Sequence, residues 1–214
     1  MNGALLQSKI YYGYAQAANH VGLSYQQFRP TSAVNALATG NLVQSLPASF
    51  NVKDMNWDKS SDYGKAGWYC VADGRQLLQG DYLTGNGYTY FIGNMEPLLP
   101  IVAILCNRIV SLYQPAQQAG NGLAGYGGNT DQSETQYINQ FPGSILDTGR
   151  TAKNIVNLPG DAASGNAILL LPNIPGVQIK PYDIVKDDLY RRYLINWAEL
   201  AEHGWRCGVV ESET

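Results

Sequence analysis

One pattern occurs twice in this chain, and it limits the folds available. Gly80-Asp81-Tyr82-Leu83 passes through Thr84-Gly85-Asn86-Gly87 into Tyr88-Thr89-Tyr90-Phe91-Ile92 and on to Met95-Glu96. Two apolar, aromatic-rich runs around Asn-Gly spell a β-hairpin, because both turn residues tolerate positive φ. Near the C-terminus the pattern returns as Tyr182-Asp183-Ile184-Val185, Tyr193-Leu194-Ile195 and Ala198-Glu199. Asp81 aligns with Asp183, Tyr90 with Tyr193, Ile92 with Ile195 and Glu96 with Glu199, with one residue inserted in the second turn. A strand with an arginine follows each copy, at Arg108 and at Arg206. An internal repeat fixes architecture before any single element does, so two related hairpin units are expected.

The 214 residues are enough for one large or two small domains. Charged residues are 14%, well below the usual share of about a quarter, while Tyr is 15 and Gly 23. A surface poor in charge and rich in Tyr suits a protein largely covered by partners. On composition alone a β-rich secreted domain fits as well. The net charge of −3, with no basic run, gives no footprint for phosphate-directed nucleic-acid binding. Cys70, Cys106 and Cys207 each sit in an apolar, strand-like run and are expected as free buried thiols in a reducing compartment. Met1-Asn2-Gly3 lacks the positive start of a secretion signal, and the apolar run Leu98–Cys106 is too short to span a bilayer.

Ala4–Val21 reads as a helix with Leu5, Ile10, Tyr14, Ala17, Ala18 and Val21 near one face, closed by Gly22. Tyr25–Pro30 is extended, and Thr31–Ser49 reads as a loop or arm. Strands are expected from Phe50, over Trp68–Ala72, through the first hairpin, and from Ile101 to Leu112. Pro97 and Pro100 exclude a central strand between them. Gln117–Thr130 is Gly-rich and expected to be exposed. Strands follow over Lys153–Leu158, Ala167–Leu171, the second hairpin and Arg206–Val210. The expected fold is mainly β (α+β): an N-terminal helix followed by two hairpin-based barrel- or sandwich-like units. Its segments are 1–49 (helix and arm), 50–115 (first β unit), 116–143 (Gly-rich connection) and 144–214 (second β unit).

No catalytic, metal or cofactor site is expected. Gly120-Asn121-Gly122-Leu123-Ala124-Gly125 matches the dinucleotide fingerprint in spelling, but Tyr126-Gly127-Gly128-Asn129 cannot open the helix that fingerprint needs. His20 and His203 are the histidines of the chain, the cysteines lack ligand spacing, and no Gly-x-Ser-x-Gly elbow occurs. Asp81 and Asp183 are tempting as paired acids. At strand starts, however, aspartate caps local backbone N–H groups, and this structural role is the expectation. Exchange of either for Asn should then cost about 1 kcal/mol or less. Tyr126, Tyr137 and Phe141, with Arg191 and Arg192 at the second hairpin, are the candidate interface residues.

The run Gly80-Asp81-Tyr82-Leu83 … Tyr90-Phe91-Ile92-Gly93-Asn94-Met95-Glu96-Pro97-Leu98-Leu99-Pro100-Ile101, with Cys106-Asn107-Arg108, resembles a family of uncharacterised structural proteins of tailed bacteriophages and prophages. Tyr126–Thr130, Asn157–Asp161, Arg191-Arg192-Tyr193 and Gly204-Trp205-Arg206 carry the same resemblance, as does the opening helix with Tyr25–Pro30. The stretch Asp183-Ile184-Val185 … Arg192-Tyr193-Leu194-Ile195 is similar in style to head-closure proteins, small β-barrels that form rings between portal and tail. The resemblance implies a non-enzymatic virion component at the neck, assembled in the bacterial cytoplasm as a homo-oligomeric ring of six or twelve copies. Portal, adaptor or tail proteins would be its partners, with no specific nucleic acid and no membrane. A baseplate or tail-hub component is the alternative of the same class, and a virion-associated cell-wall hydrolase that of another. Thr31–Ser49 and Gln117–Gln140 are expected to clasp neighbours.

Overall fold

The computed structural model describes residues 2–52, 65–115, 134–147 and 166–212. Among them are helix α1 (Gly3–Val21) and twelve strands: β1 (Leu23–Phe28), β2 (Leu42–Val52), β3 (Gly67–Val71), β4 (Tyr82–Gly85), β5 (Tyr88–Asn94), β6 (Ile101–Cys106), β7 (Arg108–Gln114), β8 (Thr135–Asp147), β9 (Asn166–Leu171), β10 (Ile184–Asp187), β11 (Arg192–Ala201) and β12 (Gly204–Glu211). The protein is therefore mainly β with one N-terminal helix, as its sequence leads one to expect.

The strands close into two antiparallel barrels, ordered β1-β2-β3-β6-β5-β4 and β7-β8-β9-β12-β11-β10. Shifting every number by six converts one order into the other. In each barrel the fourth strand returns to lie beside the first, a Greek-key path. The repeat extends to single bonds. Leu83 pairs with Tyr90 as Val185 does with Tyr193. Gly80 N donates to Ile92 O at 2.8 Å, and Tyr182 N to Ile195 O at 2.7 Å. Both barrels carry a bulge just after the aligned isoleucine, at Ile92/Asn94 and Ile195/Trp197. The arginine match does not survive: the counterpart of β12 is β6, whereas Arg108 opens β7.

The boundaries of the units differ from expectation. The first barrel begins at Leu23, not Phe50, because β1 and β2 are needed to close it. Residues 42–49, expected in an arm, lie in β2. The units meet at Asn107 rather than within 116–143. The flanks of residues 116–133 belong to one strand pair, with Gln114 opposite Thr135. Asn107 welds the junction: its side-chain amide donates to Ile145 O at 2.8 Å and accepts from Ile145 N at 2.9 Å, as a strand residue's backbone does. Ser144, expected to open the second half, lies well inside β8. The expected strand Lys153–Leu158 and the loop Gln117–Thr130 fall outside the described residues.

Two apolar clusters fill the structure. One occupies the first barrel, with Tyr25, Cys70, Leu83, Tyr90, Ile92 and Ile101 inside it, and Phe50 stacked on Tyr90 at 3.7 Å. The other combines the second barrel with the seam between the two. Tyr90 and Ile92 serve the first cluster while Phe91, between them, serves the second. Alternation along β5 thus buries both faces, as expected where a sheet is covered on both sides. Tyr82, fully buried, donates its hydroxyl to Pro142 O across the seam at 2.8 Å. Residues 33–36 also cross it: Asn139 N donates to Ala33 O and Asn35 N to Asn139 O. Part of the expected clasping arm therefore holds the second barrel of its own chain.

Helix α1 starts with Asn2 Oδ1 accepting from Ala4 N and ends with Gly22 N donating to Ala18 O. Tyr11, Tyr14 and Ala18 turn toward the first barrel at helical spacing, while Leu5, Ala17 and Val21, expected on the same face, are exposed. No helix among the described residues is long and apolar enough to cross a membrane.

Candidate functional site

Asp81 and Asp183 occupy equivalent corners, each just before the strand that closes its barrel. Each does the same local work. Asp81 Oδ2 accepts from Leu78 N at 2.8 Å and Asp183 Oδ2 from Lys180 N at 2.9 Å, so each side chain caps the backbone three residues earlier. Both are buried. Beyond the cap their surroundings diverge.

Asp81 takes a bidentate grip from Arg29, Nε on Oδ1 and Nη2 on Oδ2, both at 2.7 Å, and Gln27 Nε2 adds a bond at 2.6 Å. Gln27, fully buried, also donates to Gln76 O and accepts from Gln44. The Asp81 hydrogen bond holds the Arg29 guanidinium above its ordinary pKa. Register places Leu112 where Gln27 stands and Gln114 where Arg29 stands. The second barrel therefore lacks this polar web, and Tyr137 donates its hydroxyl to Asp183 Oδ2 at 2.6 Å instead. Burial first, then that bond, pushes the Tyr137 phenol far up. Each acid accepts donors from its own barrel and does not form a proton-sharing pair with the other.

A second set of charges sits at the far end of the second barrel. Asp187 Oδ1 accepts from Leu189 N and Arg191 N, and its Oδ2 meets the Arg191 side chain at 2.8–2.9 Å and Arg108 at 3.7 Å. Nearby, Glu134, its side chain fully buried, holds Lys186 at 2.9 Å and Arg192 at 2.7 Å. Lys186, Asp187 and Arg192 line a surface concavity of about 820 Å³ that also includes Ile109, Tyr113, Gln140 and Tyr190. A smaller one, of about 420 Å³, lies at the seam beside Asp81 and Arg29, against Pro172–Pro175.

The candidate interface residues separate on inspection. Phe141 is fully buried in the shared core and Tyr137 is committed to Asp183, so neither is a free surface anchor. Arg191, just before β11, and Arg192, its first residue, point to different acids, Asp187 and Glu134. Tyr126 and the Gly120–Gly125 run lie outside the described residues. His20 is exposed on α1 and His203 in the turn before β12. Among the described residues no group of three or more His, Cys, Asp or Glu side chains could hold a metal. Cys70 and Cys207 are buried thiols, both pushed up to about 12 by burial.

Fold and surface together define a class: a tandem of two closed six-stranded Greek-key barrels, joined through an apolar seam and fronted by a helix. Comparison with family models, with curated proteins and with solved structures finds no match.

Proposed function

We propose that this chain is a structural virion protein of a tailed bacteriophage, working as an oligomeric ring at the neck between head and tail. The observation that carries this reading is a charge-poor pair of closed barrels that leaves large apolar side chains in solvent. Leu5, Tyr12, Leu98, Leu99, Tyr182 and Tyr190 are all between 46% and 98% exposed. Such groups mark a contact surface where they gather, and the bond from Leu98 N to Gln7 Oε1 brings Leu98 and Leu99 beside the first turns of α1. The barrels close, which confines free strand flanks to short stretches such as Leu42–Ala48 of β2, so assembly draws mainly on side-chain surfaces rather than on added strands. The resemblance of the hairpin runs to phage structural proteins supplies the virion setting.

The test is direct. The purified chain is measured by native mass spectrometry and negative-stain microscopy, and purified particles of the encoding phage are searched for it. Closed rings and a fixed copy number per particle support the reading. A chain that stays monomeric at all concentrations and is missing from particles refutes it.

A further inference from the structure

The two barrels meet the same backbone demand with different residues. Residue 80 and its counterpart 182 both adopt left-handed φ, +89° and +73°. The first barrel places Gly there; the second places Tyr, with 71% of its surface in solvent. The following hairpin turns repeat the contrast. The first turn takes its positive φ at Asn86 and Gly87, the second at Tyr190, which is 98% exposed. A bulky side chain in this region is strained, and Gly or Asn relieves the strain. Neither tyrosine recovers that cost by burial in its own barrel. Strain kept in the absence of internal packing points to a role outside the folded chain.

We propose that Tyr182 and Tyr190 anchor a contact between copies of this chain, made by the β10–β11 corner of the second barrel. The inference rests on the ring reading above and names its contact. The two residues flank β10 and stand about 20 Å apart, the scale of a protein interface rather than a small-molecule pocket. Their exposed surface, with that of Leu189 at 53% exposure, is about 400 Å², near half of what one partner contributes to a stable interface. The concavity beside Tyr190 gives side chains of the second copy a place to enter. Charge selects the occupant. Residues 180–192 carry four basic and three acidic side chains, and Glu134 on Lys186 and Arg192, with Arg108 on Asp187, brings the count to five and four. A patch this close to neutral meets its own copy with little repulsion, while nucleic acid or an anionic bilayer gains little attraction from it.

The experiment compares the full-length chain with Tyr182→Gly, Tyr190→Gly, Tyr190→Asn and the double glycine variant. Thermal melting at a concentration where the parent and every variant sediment as monomers reads the fold, and sedimentation over a range of higher concentrations reads assembly. Each single variant should melt at an equal or higher temperature than the parent and need at least tenfold more protein to assemble; the double variant should be monomeric. Lower melting temperatures would show that the rings support the barrel and would overturn the proposal. Parent-like assembly of all four variants overturns it while leaving the ring reading intact. A parent chain that never self-associates, or that instead binds phosphatidylglycerol vesicles through these tyrosines, overturns both.

Discussion

Asp81→Asn and Asp183→Asn form a matched pair, because the two acids cap the same corner in two barrels. Four bonds end on Asp81: Arg29 Nε on Oδ1, and Arg29 Nη2, Gln27 Nε2 and Leu78 N on Oδ2. An asparagine keeps one acceptor oxygen. If that oxygen takes the three-bond position, the new amide nitrogen faces the Arg29 Nε donor at close range, and the charge-assisted grip is lost. Bonds to charged groups contribute about 1.5–3 kcal/mol. Stranding a buried ion costs about 3–5 kcal/mol, but Arg29 is 36% exposed and regains water, which discounts that figure. The expected cost is about 2–3 kcal/mol, or roughly 5–10 °C in melting temperature for a chain of this length. This exceeds the sequence-based expectation, which counted the cap alone. At Asp183 both bonds, from Tyr137 and Lys180 N, fall on Oδ2. One amide oxygen can accept both, so the cost is about 1 kcal/mol. Urea unfolding followed by tryptophan fluorescence and circular dichroism measures both variants. Equal costs, or a larger one at Asp183, would refute the assignment of Arg29 and Gln27 as the source of the difference.

Alkaline stability follows from the buried phenols and thiols. Burial pushes Tyr90 and Tyr193 up to about 12, as it does Cys70 and Cys207, so the fold favours their protonated forms. Their contribution is complete below the unfolded-state values of about 9 for Cys and about 10 for Tyr, and drains away as pH rises to about 12. Tyrosinate absorbance should rise in two stages, the second coinciding with loss of the circular dichroism signal; a single stage with the fold intact would be the contrary result. Excision of residues 117–132, with a short Gly-containing turn in their place, should leave the melting temperature within a few degrees of the parent. Gln114 and Thr135 already lie opposite each other, and closing a shorter loop changes little. A cut that also takes Glu134 removes an acid that both Lys186 and Arg192 hold and should unfold the second barrel at lower urea; equal midpoints for the two deletions would contradict this.

The hairpins were legible because local rules and tertiary structure agree there. Asn86-Gly87 fits its turn, and the Asp-started strands align residue for residue. What escaped was set by distance or by compensation. Pro47 lies in the stretch read as a loop or arm, yet it sits in β2 opposite Ser24, before the point at Ser49 where β2 takes up β3 as its second neighbour. A missing N–H costs little where one flank has no strand partner. The single-residue junction at Asn107 was hidden because a side-chain amide takes the place of backbone pairing. Gln27 looks like a surface residue and is fully buried; its partners Gln76 and Asp81 lie 49 and 54 residues away. Tyr137 and Phe141 carried the aromatic signal of an interface, and the strand that contains them turned that signal inward.

The duplication separates what the fold demands from what each barrel has added. The Asp cap, the bonds from Ile92 and Ile195, and the bulge after each recur, so they belong to closing a barrel of this path. Gly85 and Asp187 share a position with opposite consequences. A side chain at 85 would collide first with the Ser24 carbonyl and then with the Tyr25 ring, whereas Asp187, opposite Val110, holds Arg191. That charged turn carries Tyr190 in solvent. The first barrel instead packs an aromatic cluster, with Phe50 stacked on Tyr90 and Tyr25 edge-on to both. One barrel is thus filled at this end and the other is left open, which gives the two halves of the molecule different surfaces from a common plan.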